Sequence, residues 1–559
     1  MPVSPLLIMK GVLAIVFAAF ELNSMFKSHY SLLRSPMRRL FLLLLIPCAL
    51  VLAQNPRIPK EARVGYQSIN ANDLSARLHF IASPDLEGRE TTTRGQKVAA
   101  RYIASEFQRL GLKPIGDSGS YFQRFNVEVT KISDKSTLAV TTKQGTSTFT
   151  IGRGFYATSA LDGPVTAPVI FVGYMDTKVD SMLTKGKIVM VLPGRKQDAR
   201  DTSVSPRTRL MLNRPFTGSL ARIVIADDSG ALSFERQSPR FEATMKRGAM
   251  AVVGGEVRAG RSGSGFPPLI SPDIAAAILK ESGKTLSQLR LAAYQDSSFQ
   301  PVALNQTTVT INIGNSKELK TTENVLGFLE GSDPKLKNEV VAFTGHYDHL
   351  GITPEGVIYP GADDDGSGTV TVLQLAQAFT SNPVKPKRSM LFMTVVGEEK
   401  GLWGSSWYVN HPILPLEKTV ADLNTDMIGR TDNKYDELKS NNYVYVIGSD
   451  KISTQLDSIL KVSNKETENL VLDYTFNDDK DPNQFYRRSD HYNFAKNGVP
   501  IVFFFTGVHA DYHRPTDTVD KILFDRMVRI IHVIYETGWK VANMKGGLVK
   551  NVGSSMFAK

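Results

Sequence analysis

The sequence of 559 residues predicts an α/β protein: a doubly wound, mostly parallel sheet with helices on both faces, interrupted by a β-rich insertion. Three observations predict it. From Asn324 onward, short apolar strand runs alternate with helical runs. Two amphipathic helices stand well before them, within 69–114. Between these parts lie many short β-type runs punctuated by Gly and Pro. The expected organisation is a leader at 1–53, the first part of the main domain at 54–128, the insertion at 129–313 and the rest of the main domain at 314–559.

The leader comes first. "MRRLFLLLLIPCALVLAQ" (Met37 to Gln54) has a basic start, an apolar run and a small residue, Ala53, before Gln54. This reads as a secretory signal, with Met1 or Met37 as the start. The upstream run "GVLAIVFAAF" is a second apolar stretch. Cys48 is the only cysteine, so removal of the leader leaves a chain without thiols. An exported, disulfide-free protein, periplasmic or secreted, fits a bacterial cell envelope. No stable membrane span is expected once the leader is gone. The net charge of +11 lies partly in the leader, and no long Lys/Arg run occurs, so nucleic acid is not an expected partner.

In the first helices, Leu74, Leu78 and Ile81, then Ala99, Ile103, Phe107 and Leu110, recur at helical spacing. "DLEGR" (Asp85 to Arg89) reads equally as a helix-linking turn and as a loop approaching a site. In the insertion, "STLAVTT", "APVIFVGY", "GKIVMVLPG", "AVVGGEV" and "TVTINIG" are the strand runs. Beyond it, "NVLGFLEG", "EVVAFTGH", "RSMLFMTVVGEE", "TVADLNTDM", "NYVYVIGS" and "VPIVFFFTG" read as strands. "GTVTVLQLAQAFTS", a run from about Leu402, "QLDSILKVSN" and a run from about Val519 read as helices.

The polar residues fall where these strands end. One strand leads to His346 and Asp348, another to Glu398 and Glu399, a third to Asp426, a fourth to His509, Asp511 and His513. Open α/β sheets bind ligands outside the carboxyl ends of their strands. Before the helix at 368 stands "YPGADDDGSG", with Asp363, Asp364 and Asp365 contiguous. Three readings compete: a solvated, helix-capping turn, a calcium loop, whose ligands however alternate along the chain, and a cluster neutralised by a multivalent cation. Carboxylates and imidazoles without cysteine suit zinc or a related divalent ion. Two ions about 3.5–4 Å apart could share one of the three aspartates.

The motifs "GHYDHLG", "PGADDDGSG", "VVGEEKGLWGS", "LNTDMIGR", "RRSDHYNF" and "DYHRPTDT" together resemble those of the co-catalytic zinc aminopeptidases. That is metallopeptidase family twenty-eight, which includes bacterial leucyl aminopeptidase, aminopeptidase Y and glutamate carboxypeptidase. The resemblance implies two Zn²⁺ ions per chain. His346, Glu399, Asp426 and His513 are then terminal ligands, and Asp364 is the bridge. Glu398 matches the general base, Asp348 the acid that orients His346, and Tyr486 a tyrosine that helps hold the tetrahedral intermediate. A cis peptide at Asp364–Asp365 is also implied. "TKGKIVMVLPG" followed by "MKRGAMAVVGG" resembles a protease-associated domain.

The implied activity is hydrolysis of N-terminal residues from peptides by a zinc-activated water. The same resemblance admits a glutaminyl cyclase, a glutamate-type carboxypeptidase and a non-catalytic receptor-like protein. The chain departs from some relatives in lacking cysteines near the site and in having Arg487 and Arg488 before Ser489. His349 is read as a loop side chain and His491 as packing or pocket lining. His509 and Asp511 read as flanking groups, and Trp403 and Trp407 as packing. The insertion is expected to lie beside the metal rim, with its two ends close together.

Overall fold

The computed structural model describes residues 58–196, 216–255, 267–296, 298–353 and 355–551. The predicted leader lies outside them. Among the described residues no helix is long and apolar enough to cross a membrane.

Among the described residues the larger sheet has ten strands. Its centre is four parallel strands in the order Ile501–Phe505, Thr419–Thr425, Val340–His346 and Ser389–Val395. Almost every residue in them is buried, which is why they read as continuous apolar runs. Side chains alternate between the two faces. Val341 and Phe343 join the helices Ala71–Ile81, Arg94–Arg109, Gly368–Ser381 and Phe524–Asn543 in one core. Val340 and Ala342 join Tyr408, Val409 and Phe494 of the helices Trp403–Asn410 and His491–Ala495 in the other. The doubly wound expectation therefore holds.

The sheet is mixed, however, with antiparallel flanks around the parallel centre. Tyr443–Ile447 runs antiparallel to Ile501–Phe505. On the other side Asn315–Leu329 pairs antiparallel with Ser389–Val395 and with Phe122–Ile132. The last pairing has a topological cause. These two strands lead into and out of the inserted segment, and only an antiparallel ribbon brings both crossings to one point. Ser133 N–H donates to Gly314 O at 2.8 Å where the ribbon ends.

Among the described residues the inserted segment builds its own eight-stranded sheet, with apolar clusters around Val169 and Ile223 and around Ile170 and Val224. One run departs from the sequence reading. "AVVGGEV" read as a strand of the insertion, but Ala249–Val252 pairs with Val127–Thr130 at the edge of the larger sheet. Backbone groups of an edge strand need partners, and hydropathy alone does not say which sheet supplies them. The helix Phe234–Arg247 delivers this strand. Its last residue, Arg247, donates from Nε and Nη2 to Glu90 Oε1 at 2.9 and 2.6 Å, and Lys400 Nζ reaches the same oxygen at 2.8 Å.

Candidate metal centre

Parallel central strands bring their carboxyl ends to one rim. His346 is the last residue of its strand, and Asp426 directly follows Thr425. Glu398 and Glu399 follow Val395 within four residues, and His513 lies in the loop after Phe505. The three aspartates meet these groups from the turn before the helix Gly368–Ser381.

The crowding of Asp363, Asp364 and Asp365 is resolved by sending each carboxylate elsewhere. Asp363 Oδ1 accepts from Gly429 N–H at 2.6 Å, and its Oδ2 lies 3.2 Å from His509 Nε2. Asp365 accepts from the N–H groups of His346, Gly368 and Met427 at 2.9, 2.8 and 3.2 Å. Both outer acids thus tie strand ends and the helix start together through backbone donors. Asp364 is left to the rim. Its Oδ1 lies 3.3 Å from His346 Nε2 and its Oδ2 3.0 Å from His513 Nε2. The Asp364–Asp365 peptide is cis, as the resemblance implied. Gly361 permits the turn, because a Cβ there would lie 2.3 Å from Asp364 O and 2.5 Å from the His349 ring.

Two sets of ligand atoms result, and Asp364 belongs to both. His346, Asp364 and Asp426 form one; His349, Asp364 and Glu399 form the other, each within 4.8 Å. His513 Nε2 adds to the second set, 3.3 Å from Glu399 Oε2. Asp348 braces the first, with its oxygens accepting from Thr91 Oγ1 at 2.8 Å and Glu398 N–H at 3.2 Å. Its Oδ1 lies 3.7 Å from His346 Nδ1. Ser489 Oγ donates to Asp426 Oδ2 at 2.7 Å.

The electrostatics are those of a site built for a cation. Burial, with Glu399, Asp426 and Asp490 nearby, pushes the Glu398 carboxyl well above its ordinary range. Burial, then Asp364 and Glu399, raise Asp426 to about 6 against the pull of His346. Burial opposes charge on His513, yet Asp364 and Glu399 bring it up to about 10. Asp364 Oδ2, Glu399 Oε1 and His349 Nδ1 are buried without a well-directed hydrogen bond among the described residues, although Asp364 Oδ2 lies 3.0 Å from His513 Nε2 and the other two lie 2.9 Å apart. Buried polar atoms ordinarily find partners. Orphaned oxygen and nitrogen atoms that converge, with no sulfur among them, fit zinc.

His346, Asp348, Asp364, Glu398, Glu399, Asp426 and His513 are thus brought together. Tyr486 is not. Its ring packs on His491 and Tyr492, with centroids 5.8 and 6.2 Å apart, and its hydroxyl has no partner among the described residues. The groups that raise its pKa, after burial, are Tyr492, Asp479 and Asp450, and none is a rim acid. Spacing from Ser489 could not show which way the intervening turn points the ring. Tyr512 lies at the rim instead, stacked on His513 at 3.9 Å. His349 also differs from its reading as a loop side chain: it is fully buried and faces Glu399. Trp407 stacks on Phe125 as a packing residue.

Sequence reasoning left Arg89 undecided between a turn and the site, and it proves to be the clamp of the rim. It is fully buried. Its guanidinium donates to Tyr347 O at 2.8 Å in the His346 loop, and to Pro360 O at 2.6 Å and Gly361 O at 3.0 Å before the aspartates. A fourth bond goes to Ile81 O at 2.7 Å. Arg89→Met leaves these carbonyls unsatisfied. It is expected to cost about 3 kcal/mol or more of unfolding free energy, read by denaturant melts. Unchanged stability would contradict the clamp.

Residues 324–538 match the family description Peptidase family M28, and this stretch carries the six metallopeptidase motifs and every rim residue from His346 to His513. The resemblance read from the motifs is met by that match. A probable leucine aminopeptidase 2 of Aspergillus oryzae is 35% identical over 206 residues, 36% of this chain and 37% of that protein. Aminopeptidase YwaD of Bacillus subtilis is 27% identical over 257 residues, 45% of this chain and 47% of that protein. The chain thus spans less than half the length of these curated relatives. A zinc aminopeptidase structure from Bacillus subtilis aligns over 85% of this chain and 96% of its own, with 19% identity and a TM-score of 0.47.

Proposed function

We propose that this chain is an exported metallo-aminopeptidase that hydrolyses N-terminal residues from peptides with two zinc ions. The observation that carries the proposal is Asp364, whose two oxygens face separate His/carboxylate sets. In this reading His346, Asp364 and Asp426 hold one ion. Asp364, Glu399 and His513 hold the other, with His349 facing Glu399 beside them. Zinc bound there supplies a water that is nucleophilic near neutral pH and a Lewis acid for the scissile carbonyl.

The protein's own groups do the rest. Glu398 stands at the rim without being part of either ligand set, 3.8 Å from His346 Nε2. Its backbone N–H is held by Asp348, and its carboxyl, free of both sets, would take a proton from the attacking water and pass it to the leaving amine. An apolar wall of Met427, Phe485, Phe503, Phe505 and Val508 adjoins Asp364 and Glu398 and would receive the side chain of the terminal residue. The test is amino-acid release from peptides with free and with acetylated N-termini, with zinc and with a chelator. Release from the free peptide alone, abolished by chelation, is expected. Equal cleavage of both peptides would contradict exopeptidase action, and cyclisation of N-terminal glutamine without hydrolysis would support the cyclase reading.

The inserted segment, in this reading a protease-associated domain, restricts access to the rim. Its Arg247 reaches Glu90, which also holds Lys400 next to Glu399. Joining residue 133 to 314 by a short Gly/Ser linker is expected to keep zinc binding and to broaden peptide-length preference. A folded, zinc-loaded protein with unchanged length preference would make the segment a stabilising module instead.

A further inference from the structure

Most cations around the rim are already paired. Glu90 holds Arg247 and Lys400. Asp511 holds Arg430 and Lys521. Arg89 is spent on carbonyls. Arg488 is different. It lines the cavity that the apolar wall shares with Asp364, Glu398 and Asp426, as its one cationic wall residue among the described residues, and no carboxylate lies within ion-pair distance of it among the described residues. Although it neighbours an anionic centre, it is held by neutral groups. Its guanidinium stacks over the Phe485 ring at 4.9 Å, and Nη2 donates to Tyr512 OH at 3.2 Å. Stacking on an aromatic face fixes the plane of a guanidinium and leaves its edge free to donate. Tyr512 is itself stacked on His513, and Ser489, next in the chain, holds Asp426. One support of Arg488, Tyr512, and its chain neighbour Ser489 are therefore tied to residues of the centre, which holds Arg488 beside the metal rim.

Arg488 is exposed to solvent, so its guanidinium edge is open to a ligand while its two aromatic contacts hold it beside the rim. We propose that Arg488 is a specificity-determining residue that receives a carboxylate of the substrate. This rests on the aminopeptidase reading and names the substrate class within it. The carboxylate has two sources: the side chain of an N-terminal acidic residue, whose methylenes would lie along the apolar wall, or the C-terminus of a short peptide.

The test compares kcat/KM for two pairs of substrates in the wild-type protein and in Arg488→Gln. Glu- and Gln-p-nitroanilide differ only in the side-chain carboxylate. Leu-Gly and Leu-Gly-amide differ only in the terminal one. A charge-assisted hydrogen bond is expected to favour the carboxylate member of one pair by about tenfold or more, and Arg488→Gln to bring that ratio to about one. Whichever pair responds identifies the source. If neither ratio changes in a folded, zinc-loaded variant, the inference is overturned. Should the wild-type protein turn over no substrate, the aminopeptidase reading fails separately. Calorimetric binding of L-glutamate against L-glutamine to the zinc-loaded protein then reads Arg488 alone, and equal affinity ratios in both proteins would overturn its role.

Discussion

Asp364→Asn is expected to lose both zinc ions together. Its two oxygens are the atoms the two ligand sets share, one 3.3 Å from His346 Nε2 and the other 3.0 Å from His513 Nε2. An amide offers one oxygen and one N–H₂ in place of two anionic oxygens, so neither ion keeps its full donor set. The loss of activity should exceed the roughly 10–100-fold that replacing an outer-shell partner costs. The check is metal analysis after dialysis. Retention of one full equivalent would make Asp364 a terminal ligand. The variant should remain folded, because Asp363 and Asp365, not Asp364, accept the backbone bonds that join the strand ends.

Glu398→Gln should behave in the opposite way, keeping both ions while turnover falls by about 10²–10⁴-fold, the range for loss of a positioned base. Glu398 lies outside both ligand sets, and its neighbour Glu399 carries the contacts to His349 and His513. Normal zinc content with normal kcat would remove Glu398 from proton transfer. Loss of zinc would make it a ligand.

Much of this centre was legible because parallel strands announce themselves twice. They are unbroken apolar runs, and they end in the residues they deliver. His346, Glu398, Asp426 and His513 could each be found by reading to the end of such a run. The assignment among Asp363, Asp364 and Asp365 could not come from spacing, since three adjacent carboxylates look alike until the backbone donors of Gly368, Met427 and Gly429 select their partners. Motif resemblance chose Asp364, and the geometry gives it the shared position. Tyr486 and Tyr512 show the reverse case. Both lie near a motif, but ring direction depends on the turns around them, and Tyr512 is the one that meets His513. Arg89 sat in a stretch whose composition reads as a turn. Its role depends on two loops more than two hundred and fifty residues away in sequence, and no local pattern encodes that. The edge strand Ala249–Val252 was recognisable as a strand but not as a member of the larger sheet, because strand propensity carries no partner label.

In the proposed centre two ions would share Asp364, and both would be needed. This is tested most directly by titrating zinc into the metal-free protein while following release of the N-terminal residue from a leucyl peptide. Activity is expected to reach its plateau at two equivalents of zinc per chain. A plateau at one equivalent would contradict it.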